Sequence, residues 1–272
     1  MADSLVQSLD RGMKIMGLLA DRGPLSATAI AAELGIHQSS ASRLLSVLFD
    51  SGFVRKPSYH SFALDYGALV FAGRAMHCFP AIPAAASACN RIARETGLNA
   101  TVGMLWQDRL LYLTRTNADS SIVLIDNSDF AIHESSLGRC LACERGREAS
   151  VELFIRSLGS AERADAGGTA PYGGGADRNN GDGGTEVGAY AESAMLRLQS
   201  EDLYRLTKEN IDRHGFLYLE DYGDNRCNGA MAFQLDEHRA AMAIFSPTRK
   251  EAPGRIKDLL EEAKHTMEHY EP

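Results

Sequence analysis

The run Pro24–Lys56, PLSATAIAAELGIHQSSASRLLSVLFDSGFVRK, decides the fold. Ser26 is a good helix N-cap, because its hydroxyl can accept from first-turn amides. Ile30 and Leu34 then share one helical face. Gly35 ends that helix, where a left-handed residue is wanted. A second helix follows at once, with Ala41, Leu44, Leu45 and Leu48 at helical spacing. Its other face shows Gln38, Ser39, Ser40, Ser42, Arg43 and Ser46. Two short helices joined by a tight glycine-containing turn form a helix-turn-helix. A second helix with short hydrogen-bonding side chains outside suits the major groove of double-stranded DNA.

Working outward, Gly52 breaks the second helix and Phe53-Val54 begin an extended run. Arg55 and Lys56 come next, then a Pro57-Ser58-Tyr59-His60 turn and Phe62-Ala63-Leu64. This predicts a hairpin, or wing, with cations near its tip that touch phosphate. The plainer alternative is a pair of core helices with a surface hairpin; the wing directly after them favours DNA. Upstream, the spacing predicts a helix over 4–20 with Leu5, Leu9, Met13 and Met16 as its packed face.

The chain has 272 residues and an apolar fraction of 44%, enough for one large or two ordinary domains. No apolar run approaches the roughly 20 residues that span a bilayer, so no membrane partner is expected. The first residues lack the cationic flank and apolar core of a signal peptide. Five cysteines, an odd and low count, suggest reduced thiols in a cytoplasm. Net charge is −8, but it is unevenly divided: six basic and five acidic groups leave residues 1–64 at +1. The remaining 22 basic and 31 acidic groups carry −9. A module of charge +1 binds DNA weakly by electrostatics, so useful affinity calls for two modules and hence a dimer.

Downstream, 66–79 reads as a helix linking two domains, with Leu69, Val70 and Phe71 offered to a dimer contact. A helix over 84–96 follows. Asn99–Leu105 and Leu110–Thr116 are β-rich around a turn, and Ile122–Ile125 suggests a third strand. Helices are expected at 136–145, 150–158, 200–214 and 253–270, and strands at 216–219, 229–235 and 239–245. Residues 165–188 are Gly-rich and polar, the composition of a flexible insertion. They lack the GxxxxGK[ST] pattern of a phosphate loop. The whole predicts an α+β protein: a DNA-binding domain over 1–65, the linker helix, and an 80–272 domain around an antiparallel sheet.

Four stretches carry a resemblance to a known family. They are SLDRGMKIMGLL at 8–19, the 30–56 run quoted above, His133-Glu134-Ser135-Ser136-Leu137-Gly138-Arg139, and Arg226-Cys227 ahead of a strand pair ending in Ser246. In this order and spacing they resemble the IclR-type bacterial transcription regulators over nearly the whole chain. The third is similar to that family's H-x-[ST]-x-L-G-[KR]. The resemblance implies a winged helix-turn-helix, a linker helix and a GAF-like ligand-sensing domain. It also implies homodimers, often paired into homotetramers, that bind operator DNA and respond to a small organic acid. The sequence departs from the pattern at Ile36-His37-Gln38, where a proline is common, and in the wing's return strand. An upstream serine is replaced by Ile244, which favours a larger carboxylate as effector, an aromatic one included.

The effector residues implied are Ser135, Ser136, Leu137 and Gly138 at a helix start, Leu219 and Glu220, Cys227, and Ser246, with Met104 and Ile244 as apolar walls. A helix start does attract anions through its free amides. Arg139 is a further donor, expected to point outward. Two other chemistries compete. Cys140-x-x-Cys143 after His133 could share a helix face as zinc ligands, but no second pair accompanies it, so neither metal nor cofactor is expected. Cys227 with His238 or His133 could make a thiol-dependent enzyme carrying a winged-helix module. The regulator is the leading reading.

Overall fold

In the computed structural model, residues 6–106, 108–119, 131–165, 186–235 and 237–270 are described. They divide into two compact units, which meet in sequence at Cys78 and Phe79. The strand expected at Ile122–Ile125 and most of the Gly-rich stretch lie outside the described residues.

The N-terminal unit packs α1 (Gln7–Arg22), α2 (Ala27–Glu33) and α3 (Gln38–Asp50) around one small core. Ser26 caps α2, its Oγ accepting from Ala29 N at 3.1 Å. Gly35 adopts φ +59°, and the chain reverses through Ile36 N donating to Ala31 O at 3.0 Å. Ala41 and Leu45 of α3 are fully buried, with Leu44 and Leu48 half-buried beside them. The face of α1 departs from expectation. Ile15, Leu18 and Leu19 are buried, while Leu9 and Met13 are each 63% exposed. Both stripes have helical spacing, and the second is left without a partner among the described residues.

β1 (Val54–Ser58) and β2 (Ser61–Leu64) form the wing, paired antiparallel. Leu25 adds a bridge to Phe62, with both backbone bonds made, at 2.9 and 2.8 Å. After the wing, α4 (Gly67–Cys78) leaves Leu69, Val70, Phe71 and Met76 exposed. Its first residue must be small: a Cβ on Gly67 would lie 2.3 Å from the carbonyl oxygen of Gly52.

Among the described residues, the C-terminal unit is a five-stranded antiparallel sheet with helices on both faces. Its strands are β3 (Asn99–Trp106), β4 (Arg109–Thr116), β5 (Leu217–Tyr222), β6 (Asn225–Leu235) and β7 (His238–Ser246), in the order β4-β3-β7-β6-β5. On one face lie α5 (Ala81–Thr96) and α9 (Pro253–Glu268), packed on Ala100, Val102, Cys227, Phe233, Met242 and Ile244. On the other lies α6 (Ser136–Cys143), every residue of it buried, on Leu110, Leu217, Ala230, Ala241 and Ala243. Adjacent residues of one strand thus serve different cores, as the two-residue period of a strand requires.

α7 (Arg147–Asp165) and α8 (Glu186–His214) pack on each other and beside α6. Both run further than the sequence suggests. Asp165 and residues 186–188, read as part of a flexible insertion, are helical. Leu206, expected on the packed face of α8, is 52% exposed, whereas Thr207 is fully buried. No single helix among the described residues is long and apolar enough to cross a membrane.

Candidate DNA-reading face and effector site

Burial of Ala41 and Leu45 turns Gln38, Ser39, Ser42, Arg43 and Ser46 outward, all exposed. Ser40 is half-buried and belongs to the edge of this face. His37 stands where a proline is common in the similar family, and it supplies the cap. Its Nδ1 accepts from Ser39 N at 3.3 Å and lies 2.8 Å from Ser39 Oγ. A groove of about 300 Å³ runs between the start of α2, the outer face of α3 and the wing.

The wing's cations are not at its tip. Arg55 Nε donates to Leu64 O at 3.3 Å across the hairpin. Lys56 Nζ lies over two rings, 5.5 Å from Phe49 and 5.1 Å from Phe62. Lys56 therefore joins the stem of the wing to the end of α3. The tip is Tyr59, 91% exposed, with His60 edge-on to it at 4.7 Å.

In the C-terminal unit, the ten residues expected around an effector do not gather in one place. Ser135 caps α6, its Oγ accepting from Gly138 N at 3.3 Å. Ser136 Oγ donates to Asn228 Oδ1 at 2.7 Å. Leu137 is in the core of this face, and Leu219 packs against it. These four, with Gly138, are on the α6 side. Cys227 and Ile244 are buried on the opposite face with α5 and α9. Ser246 and Glu220 both pair with Cys227, and Met104 pairs with Ala240, so all three share that opposite face. The cause is the strand period: Asn228 and Phe245 occupy the α6 side, and their neighbours Cys227, Ile244 and Ser246 must point away.

The α6 side instead presents residues that sequence reasoning passed over. The Tyr112 hydroxyl lies 3.4 Å from Ser135 Oγ. Burial raises the Tyr112 pKa, while the hydrogen bond with Ser135 and nearby Arg115 pull it down. Tyr222 donates to His133 O at 3.3 Å. Asn228 and Phe245 are immediate neighbours of Cys227, Ile244 and Ser246, so they face the other way; Tyr222 reaches the α6 side past Asp221, whose φ of +45° breaks the alternation from Glu220. Arg139 points inward rather than outward. It is buried, donates to Thr207 Oγ1 from Nε and Nη2 at 2.9 and 2.7 Å, and lies 5.5 Å over the Tyr222 ring.

The competing chemistries lose their geometry. His238 opens β7, eight residues along the strand from Ser246, which is the partner of Cys227; at about 3.3 Å per residue they are some 26 Å apart. His133 is on the other side of the sheet from Cys227. Burial also raises the Cys227 thiol above its ordinary value, which disfavours a thiolate nucleophile. Cys140 Sγ is aimed at Ala230 O, 3.8 Å away, and burial pushes both Cys140 and Cys143 up to about 12. No group of three or more His, Cys, Asp or Glu side chains arranged to hold a metal occurs among the described residues.

Against known proteins, residues 8–58 match the IclR helix-turn-helix domain. The N-terminal part of the chain carries an IclR helix-turn-helix domain. The chain is 25% identical over 261 residues to an uncharacterized HTH-type transcriptional regulator, RhmR, of Escherichia coli strain K12, covering 94% of this chain and 88% of that protein. The fold is shared along the chain with an IclR family regulator from Brucella abortus: TM-score 0.70, 14% identity, 98% of this chain and 93% of the other covered. It is shared too with an IclR homolog from Microbacterium hydrocarbonoxydans solved in complex with 4-hydroxybenzoate: TM-score 0.61, 16% identity, 96% and 97% covered. The IclR-type order of elements, helix-turn-helix first and an antiparallel sheet with helices after it, is that of the α+β architecture described above.

Proposed function

We propose that the chain is an IclR-type regulator, that it binds an operator through α3 and the wing, and that a small organic carboxylate, aromatic in kind, alters that binding from the α6 side of the sheet. The observation that carries the DNA half is the outer face of α3. Arg43 stands exposed among Ser39, Ser42 and Ser46, directly opposite the buried Ala41 and Leu45. An exposed arginine among short donors on a helix supported from behind can reach guanine edges in the major groove. Arg55, Lys56 and the groove beside α3 are left for the phosphate backbone.

The effector half rests on the polar groups around Ser135, Ser136, Tyr112 and Asn228, together with the 4-hydroxybenzoate held by the structural relative. Two recognition helices related by a two-fold axis would read a pseudo-palindrome. The exposed stripes Leu69-Val70-Phe71 of α4 and Val6, Leu9 and Met13 of α1 are apolar surface that such a homodimer could cover. Domain limits at 65 and 79, with an effector domain over 80–272, follow the same reading.

A band-shift of the purified chain on the DNA upstream of its own gene tests both halves. Binding is expected, with a two-fold symmetric footprint, and 4-hydroxybenzoate or a related carboxylate should shift the midpoint. Absence of any sequence preference at moderate salt refutes the DNA assignment. Binding that no carboxylate alters refutes the effector assignment.

A further inference from the structure

Arg139 and Arg115 both lie on the α6 side of the sheet. Arg139 is engaged by Thr207 and Tyr222 as described. Arg115 is different. Val102 pairs with Thr114, but the next residue, Gly103, pairs with Tyr112, so Leu113 is an extra residue in β4. On a regular strand Tyr112 and Arg115, three apart, would face opposite ways. The bulge brings both to the α6 side, opposite Gly103 and Thr101. Gly103 is what permits it: a Cβ there would lie 2.8 Å from Leu111 O. A bulge that re-aims a side chain is commonly a functional device.

The guanidinium of Arg115 lies 5.2 Å over the Phe245 ring. Its Nε is enclosed and has no hydrogen-bond partner among the described residues. The residue as a whole is half-buried. A donor stripped of water and given no acceptor is unfavourable, and it persists where something supplies the acceptor. Beside it stand the Tyr112 hydroxyl and Ser135 Oγ, 3.4 Å apart, and the Ser136–Asn228 pair at 2.7 Å.

We propose that Arg115 is the counter-ion of an aromatic monocarboxylate. Nε and one terminal N–H take the two carboxylate oxygens, and Tyr112 and Phe245 flank the ring. The Nε edge of a guanidinium matches a planar two-oxygen group. A phosphate dianion asks for a second cation, and Arg139 is committed to Thr207. This rests on reading the α6 side as the effector site, and it names the group that recognises the ligand.

Benzoate, its neutral isostere benzamide and inorganic phosphate are titrated calorimetrically into the full chain. The proteins are wild type, Arg115→Gln, Arg115→Lys and, as a surface control, Arg226→Gln, each checked for fold by circular dichroism. Benzoate should bind wild type and Arg226→Gln alike, and benzamide at least tenfold more weakly. Arg115→Gln should lose at least tenfold in benzoate affinity, and Arg115→Lys should restore part of it. Equal binding by wild type and Arg115→Gln overturns the proposal. So does benzamide binding as well as benzoate, phosphate binding better than either, or no benzoate binding to folded wild type. DNA binding, read in parallel, separates the two readings. Arg115-dependent benzoate binding that leaves DNA affinity unchanged upholds this inference and fells the regulatory one. Another compound that releases DNA from Arg115→Gln as it does from wild type does the reverse.

Discussion

Replacing Gly138 by alanine tests how closely α6 is held. A Cβ at this position would lie 2.6 Å from Ile132 O, 2.9 Å from Ile132 Cα and 3.1 Å from Ile132 C. All three are backbone atoms, so no rotamer change relieves the clash. α6 itself has no slack, because each of its eight residues is buried. Ser136, two residues back, is tied to Asn228 across the sheet at 2.7 Å. The helix must therefore shift by several tenths of an ångström against both the Ile132 segment and the sheet. Overpacking of this kind costs about 1–3 kcal/mol. Alanine's higher helix propensity returns at most about 1 kcal/mol of that. Gly254, in the first turn of α9, is the internal control, since a Cβ there meets nothing within 4 Å. Urea unfolding of the C-terminal unit should show Gly138→Ala destabilised by about 1–2 kcal/mol and Gly254→Ala unchanged or slightly stabilised. If both substitutions fall within about 0.3 kcal/mol of wild type, the close approach of α6 to Ile132 is not a constraint, and the account of this glycine fails.

Arg43→Ala is expected to weaken operator binding by about 1–3 kcal/mol and to relax preference at one base pair, read by band-shift on single-base variants; unchanged affinity would remove Arg43 from the DNA face. Arg55→Gln and Lys56→Gln should weaken all sequences alike and each flatten the log–log salt dependence by about one unit; a sequence-selective loss would move them from phosphate to base contact. His133 makes stability fall in mild acid. Burial first, and Arg139 second, hold its imidazole below the ordinary 6.5, with Glu134 partly opposing. The native state thus binds fewer protons than the unfolded one. The stabilisation is fully present above about 6.5 and is lost as pH falls from there through the lower native value. Urea midpoints at pH 7.5 and 5 should show the drop, and His133→Asn should make it shallower; an unaltered slope would acquit His133.

The helix-turn-helix was legible because three signals agreed at every step: Ser26 as cap, Gly35 and Gly52 at positive φ, and Ala41 with Leu45 inside. The face of α1 was not legible, because Leu9-Met13 and Ile15-Leu18-Leu19 are both helix-spaced and only packing chooses between them. The sheet of the C-terminal unit was legible as strands but not as faces. Cys227 and Asn228 are neighbours, and whichever points at α6 fixes every other residue of β6 and β7. Sequence spacing offered no local sign of that parity, and chemistry drew attention to the thiol and serine rather than to Asn228 and Phe245. The bulge at Leu113 hid Arg115 in the same way, since a regular count from Tyr112 sends it to the other side.

Lys56 carries a consequence beyond its charge. A free lysine side chain surrenders about 2 kcal/mol of rotamer freedom when it is fixed on a ligand. Here the Phe49 and Phe62 rings already restrict it before any DNA arrives. On the proposed phosphate contact, part of the entropic cost is therefore met during folding. Because one ring belongs to the end of α3 and the other to β2, the same ammonium also sets the pitch of the wing against the recognition helix. On the proposed mode of binding, helix and wing approach the duplex as one preset shape, and a change at Phe62 would reach the DNA through geometry without a new or lost contact to it.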